Sequence, residues 1–500
     1  MTSKLRHLWT GKQACLIGIA LFLLAGFCFG QPAVSLSPKD GPPTTKLQVS
    51  GSGFTPYAQI DIYFDSQDEA LAVSDSSGAF SQIAIQAPKS AVPGNHWVSA
   101  VERGGHRANQ EIFDVHVNWT EFHTKDMMRW NPYENVLNVN NVGSLQRLGS
   151  YTTGAWVDSS PAVVNGVVYS GSHDNNVYAV NTRTGSLLWS YPDPVGAGAS
   201  PAVANGVVYI GSFDNSVYAL NASTGALLWN YTTGFSVQSP PAVANGVVYI
   251  GSNDDNVYAL NASTGALLWS YATGDVVYAA PTVVNGVVYV GSYDDTVYAL
   301  NASTGAILWS YETLSPVQSS AAVAYGVVYV GSTDGCVYAL NASTGSRRWK
   351  YETGAKCKYG GEGNAVASSP AVANGVVYIG SQNGTVYALA ADSGTLLWSY
   401  TTGGEAWSSP AVANGVVYVG SYDGNVYALD ARTGAKLWSY ATGGGVSSSP
   451  AVVNGVVYVN SDDGNMYAFG LPKGLAPQPP KRPDPKTLRP DFKLKAVATN

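Results

Sequence analysis

Side chains able to do chemistry are sparse in this chain and unevenly placed. Residues 155–470 hold 8 basic and 19 acidic residues, a net charge of −11, and five of the 8 bases are Arg347, Arg348, Lys350, Lys356 and Lys358. A basic cluster on an acidic background suits an anionic partner, an acidic protein segment or an anionic envelope polymer, held by salt-sensitive attraction. Cys336 and Cys357, 21 residues apart, enclose all of the cluster but Lys358, and in an oxidising compartment such a pair forms a disulfide. The same stretch contains a single histidine, His173. No nucleophile–base pair and no metal-ligand cluster emerges, so catalysis has little support and a binding function is expected.

These residues sit within a repeat. Asn-Gly-Val-Val-Tyr begins at Asn165, Asn205, Asn245, Asn285, Asn374, Asn414 and Asn454, with Tyr325 replacing Asn in another copy. Successive copies are 40 residues apart, except for one spacing of 49. A period near 40 with four short apolar runs is the signature of a four-stranded propeller blade. In the second unit, strands are expected at Ser200 to Ala204, Val207 to Ser212, Val217 to Leu220 and Leu227 to Tyr231. Asn205-Gly206 accepts the positive φ angles of a tight hairpin.

Eight units supply the first three strands, but only seven carry the Trp-bearing fourth, at Trp189, Trp229, Trp269, Trp309, Trp349, Trp398 and Trp438. These tryptophans read as blade-docking residues, since buried aromatics carry packing energy. The eighth outer strand is expected upstream, where Leu145 to Gly154 reads LQRLGSYTTG against LLWNYTTG in the second unit. Eight blades closed by the chain's own beginning leave no open edge in the ring.

Near-identical repeats carry their information where they differ. Three positions before each unit's Pro (Ala321 in the fifth) stand Asp158, Gly198, Gln238, Tyr278, Gln318, Ala367, Trp407 and Ser447. These loops join one blade to the next, so Asp158, Gln238, Tyr278, Gln318 and Trp407 are expected to ring the funnel as partner-binding candidates. Aromatics at such positions anchor interfaces. Cys336 and Cys357 are expected on this same face, in a turn and a loop that both emerge there.

The run Ala219-Leu-Asn221-Ala-Ser-Thr224-Gly225-Ala-Leu-Leu-Trp229 and its copies, over residues 144–470, resemble the PQQ-type propeller repeat. Residues 118–143 resemble the lead-in of secreted members, and Gly51-Ser-Gly-Phe54-Thr-Pro resembles bacterial Ig-like domains. The resemblance implies one of two functions: a quinoprotein dehydrogenase holding PQQ and Ca²⁺ in the funnel, or a non-catalytic scaffold of the BamB type. The enzyme branch has adjacent cysteines over the cofactor, which are lacking here. The ring also offers no Lys or Arg to a tricarboxylate, so neither PQQ nor Ca²⁺ is expected. A carbohydrate- or surface-binding secreted protein is a third reading.

The rest of the chain agrees with a secreted all-β protein. Of the 500 residues only 12% are charged and 45% are hydrophobic, with 55 Gly, 32 Tyr and 13 Trp. That composition excludes a disordered chain and suits short strands and tight turns. Residues 1–30, with Lys4, Arg6 and Lys12 before the apolar run Ala14 to Gly30, read as a signal peptide. Its removal takes the net charge from −7 to −10, leaving no span for a membrane and no attraction for nucleic acid. An extracytoplasmic monomer, periplasmic or secreted, is expected. Residues 31–117 read as an Ig-like β-sandwich. Residues 471–500, with seven Pro and seven Lys or Arg, read as an extended basic tail without packed structure.

Overall fold

The computed structural model describes residues 31–500 except 105–106, 123–127, 194, 197, 355, 361–362, 492, 495 and 498–500. The expected signal peptide lies outside the described residues. Its regular secondary structure is nearly all strand. Its first unit has a three-stranded sheet, Ala33–Ser37, Lys46–Ser52 and Phe80–Gln86. A six-stranded sheet faces it, built mainly on Gln59–Phe64, Gln67–Val73, Gly94–Glu102 and Ala108–Val115. Alternate residues of both sheets, among them Val49, Ile60, Ile62, Ile83, Val98 and Phe113, form one buried core, as strand periodicity of two requires.

The tail departs from expectation. It is extended, but it packs along this first unit. Ala496–Val497 pairs in parallel with Leu71 and Ala72. The Arg482 guanidinium lies 4.8 Å from the Trp97 ring centroid, and its Nε donates to Gln110 Oε1 at 2.7 Å. Leu488 is buried with Tyr63 and Val101. A proline-rich backbone cannot satisfy its carbonyls internally, so the Gln110 amide, which donates to Pro483 O at 2.9 Å, and the sheet's free edge supply partners.

From Gln146 to Gly470 the chain forms eight antiparallel sheets of repeat strands. In the second, the strands are Ala202–Ala204, Val207–Gly211, Ser216–Asn221 and Leu227–Thr232. The inner strand is shorter than expected, as it is also in the fifth unit, Ala322–Ala324, where Ala321 stands in place of the proline. Asn205 and Gly206 adopt φ of 50° and 76°, the geometry of a two-residue hairpin. Asn221 Oδ1 accepts from the amides of Ser223 and Thr224 at 3.0 Å, so the Asn-Ala-Ser-Thr-Gly run is a side-chain-capped turn.

Each Trp docks on the next blade. Trp229 Nε1 donates to Ala262 O at 2.9 Å, and the other six repeat the contact, ending with Trp438 on Leu145 O. The turn glycine of the receiving blade is obligatory: a Cβ on Gly265 would lie 2.7 Å from the Trp229 ring. Gln146–Thr152 pairs antiparallel with Asn465–Gly470, so the outer strand of the last sheet does come from the beginning of the chain. Around the axis, backbone amides donate to serine hydroxyls of the following blade. Ser320 N reaches Ser369 Oγ at 3.0 Å, Ser369 N reaches Ser409 Oγ at 2.8 Å and Ser409 N reaches Ser449 Oγ at 2.9 Å. Ser449 N reaches Ser160 Oγ at 2.9 Å and closes the circle between last and first blades.

The lead-in segment threads the axis from the face bearing the Asn-Gly hairpins. Trp119 and Val163 exchange backbone hydrogen bonds at 2.7 Å, and Val203 N donates to Thr120 O at 2.7 Å. Further round, Val372 N donates to Met128 O and Val412 N to Arg129 O, both at 3.0 Å. The innermost strands would otherwise present unpaired amides to the channel. Arg129 is fully buried, with Nε on Pro410 O and Nη2 on Pro450 O, both at 2.9 Å, and Nη1 on Phe122 O. No carboxylate among the described residues pairs with it, and burial pulls its guanidinium down to about 9.

Candidate functional site

The face opposite the plug is built from two kinds of connection. The loops between blades carry the eight variable residues expected at the funnel. The turns between second and third strands carry a second variable set that sequence reasoning missed: His173, Phe213, Asn253, Tyr293, Thr333, Gln382, Tyr422 and Asp462. Each stands 15 residues after its partner in the first set. The signal was present, since this is the position that changes after Gly-Ser (Asn-Ser in the last unit) in an otherwise repeated run.

Within blades the two sets meet. His173 Nε2 is 3.0 Å from Asp158 Oδ2, and this bond, ahead of opposing desolvation, raises the imidazole above its ordinary value. Tyr278 and Tyr293 pack edge-on with centroids 4.9 Å apart, and Asn253 Nδ2 reaches Tyr278 Oη at 3.4 Å. Trp407 lies edge-on to Tyr422 at 6.3 Å, and its Nε1 donates to Glu405. Ser447 Oγ donates to Asp462 Oδ1 at 3.3 Å. Burial, then the charge of Asp158, raises the Asp462 carboxyl. A 320 Å³ cavity on this face is lined by Gln318, Thr333, Gln382, Trp407 and Tyr359. Asp158 is exposed, while Gln238, Tyr278, Gln318 and Trp407 are half-buried.

The fit to PQQ is poor. Asp158, Asp462 and Glu405 make this mouth anionic, and neither set contains Lys or Arg. The axial Arg129 is committed to three carbonyls. Three ligand carboxylates would meet like charge without a matching cation.

The basic residues lie elsewhere, along the outer strand of the fifth blade, Arg347–Glu352, and its following insertion. Cys336 and Cys357 form a disulfide with Cα atoms 5.6 Å apart. The bond pins the insertion back onto its own blade, where Lys358 N donates to Asp334 O at 3.1 Å and Gly360 N to Ser315 Oγ at 2.8 Å. Lys350 Nζ lies 3.4 Å from Cys357 Sγ and 3.7 Å from Glu352 Oε1, so the disulfide brings Lys356 and Lys358 beside Lys350. Arg347, whose Nη1 reaches Tyr311 Oη at 3.3 Å, and Arg348 occupy the strand's other end, about 10 Å away at strand rise. All five are exposed. They form a stripe down the blade's rim, whose lysine end abuts the funnel mouth beside Thr333 and Tyr359.

Comparison with known proteins follows the repeats. Residues 153–359 match the family described as the β-propeller of beta-alanine-activating enzyme. Residues 382–475 match the family of outer membrane protein assembly factor BamB. The repeat region has a PQQ-like β-propeller fold. Among solved structures, BamB from Moraxella catarrhalis is 21% identical with a TM-score of 0.58, covering 65% of this chain and all of that one. The quinohemoprotein alcohol dehydrogenase from Comamonas testosteroni is 19% identical with a TM-score of 0.61, covering 71% of this chain and 82% of that one. Both show this PQQ-like fold. Over 77 residues the chain is 35% identical to the dehydrogenase subunit of an Acetobacter aceti quinone-dependent alcohol dehydrogenase, spanning 15% of this chain and 10% of that relative. No helix among the described residues is long and apolar enough to cross a membrane.

Proposed function

We propose that this protein is a non-catalytic, extracytoplasmic binding protein that holds an anionic envelope partner along the rim of its fifth blade. The observation carrying the reading is the stripe itself: five of the 8 basic residues between 155 and 470 on one blade and its following insertion, two of them positioned by a disulfide. Resemblance to BamB agrees with a binding role. The quinoprotein relatives point instead to a cofactor enzyme, and the anionic funnel weighs against it.

The test is capture of fluorescent polyglutamate and of polyphosphate by the intact protein across a salt series. Binding is expected to weaken steeply with salt and to fall at least tenfold in the Arg347→Glu, Lys356→Glu, Lys358→Glu triple variant with little change in melting temperature. Preference between the two probes assigns the partner's class. Unaltered capture by the triple variant overturns the reading, as does sub-micromolar retention of PQQ with Ca²⁺ in equilibrium dialysis.

A further inference from the structure

We infer that the funnel mouth between blades five and seven is a second binding site, for a short neutral oligosaccharide. The cavity there, 320 Å³, is at the small end of ligand pockets, about 300–1,000 Å³. It suits a few linked sugar rings lying across the surface.

The lining has a sugar's chemistry in reverse. A pyranose presents patches of C–H that stack on aromatic faces and hydroxyls that both donate and accept. Trp407 and Tyr359 supply the faces. Trp407 is oriented from behind by the Glu405 carboxylate and the Tyr422 ring, so its indole is held before a ligand arrives. Tyr359 is 81% exposed, an aromatic left in water on the insertion that the disulfide and the Gly360–Ser315 bond hold against blade five. Gln318 and Gln382 supply the polar part. Both are half-buried at the cavity wall, and their side-chain amides make no hydrogen bond to any described residue. An amide donates and accepts at once, which matches a hydroxyl and gives no preference for an ion. Thr333 differs, because its hydroxyl already donates to Pro316 O at 3.0 Å.

Charge selects against the acidic alternatives. Among the described residues no Lys or Arg lines the cavity, and the Glu405 carboxylate accepts from the Trp407 indole. Uronic acids or phosphorylated sugars would meet an anionic mouth. The stripe on the rim and this mouth therefore recognise opposite chemistries.

The experiment screens the intact protein against immobilised neutral oligosaccharides of β-1,4-linked glucose, α-1,4-linked glucose and β-1,4-linked N-acetylglucosamine, with polygalacturonate as the anionic control. Calorimetry on any series that binds follows. Binding to at least one neutral series, and none to polygalacturonate, is expected. Trp407→Ala should weaken it roughly tenfold, the scale of one lost stacking contact with its buried area, while Trp407→Phe retains most of it. The Gln318→Ala, Gln382→Ala variant should lose binding without a change in melting temperature. Failure of all three neutral series to bind at millimolar concentration overturns the inference, and so does binding that survives Trp407→Ala. The strand variant Arg347→Glu, Arg348→Glu, whose residues are outside the cavity lining, should leave saccharide binding unchanged, so this site and the rim proposal fail separately.

Discussion

All eight blades carry a tyrosine on the second strand, and the one in the seventh has nowhere to put its hydroxyl. Tyr378 Oη donates to Ala431 O at 3.1 Å, an oxygen that also receives Trp398 Nε1 at 2.9 Å. Tyr169, Tyr209, Tyr249, Tyr289 and Tyr329 make the same bond to the following blade. Tyr418 is fully buried and its hydroxyl has no partner among the described residues. The receiving turn is absent because the last blade continues into Leu471-Pro472, and Trp438 turns to Leu145 O instead. Tyr378→Phe should cost about 1 kcal/mol, the net worth of one hydrogen bond whose acceptor keeps its other donor. Tyr418→Phe removes a buried unpaired hydroxyl and should stabilise by about 1 kcal/mol, the low end of the desolvation cost of such a group. At about 2 °C per kcal/mol for a large domain, the two variants should melt roughly 4 °C apart in differential scanning calorimetry. Equal destabilisation by both substitutions would refute the reasoning, since it would mean that the Tyr418 hydroxyl is bonded.

Three further outcomes are expected. Tyr151→Pro, which disrupts the ladder between Gln146–Thr152 and Asn465–Gly470, should lower the melting temperature and promote concentration-dependent association through the exposed edge, read by light scattering. Burial pushes the Glu121 carboxyl up to about 7 against the single Val243 amide that favours its charge. The folded state therefore binds the extra proton, and stability should fall as pH rises from about 4.5 to about 7; Glu121→Gln should flatten that fall and exceed the wild type at pH of about 8. At His96, desolvation acts downward but the bonds to Asp65 Oδ2 and Val92 O, each 2.7 Å, prevail and raise the imidazole. Its contribution to the first unit should be full below pH of about 6.5 and be lost as pH rises through the raised value, a dependence His96→Asn should abolish in calorimetric scans.

Repetition made the ring legible. Asn-Gly marks hairpins, Trp marks outer strands, and counting seven Trp against eight units located the closing strand at residues 145–154. Variation within the repeat exposed one funnel set, and the same comparison at the position after Gly-Ser would have exposed the second. The plug was not legible because Thr120, Met128 and Arg129 engage inner strands through backbone carbonyls, which leave no mark on side-chain pattern. The tail was misread because its composition forbids a core of its own but not adhesion to another unit's edge. The basic residues read as one cluster, whereas strand rise spreads them and only the disulfide gathers the lysines.

The closing strand sets a clock for synthesis. Thr152 and Asn465, joined at 2.6 Å, are 313 residues apart in the chain, so the first strand of the ring to be made is the last to find its partner. At elongation rates of about 5–20 residues per second, the interval is roughly 15–60 s. Throughout that time Gln146–Thr152 remains an unpaired β-segment beside growing blades whose third strands resemble its true partner. It has Gly149 where the seven other outer strands have Trp. Lacking the indole that would dock it on a neighbouring blade, the segment gains least from an early and incorrect pairing, which keeps it available until Asn465–Gly470 emerges.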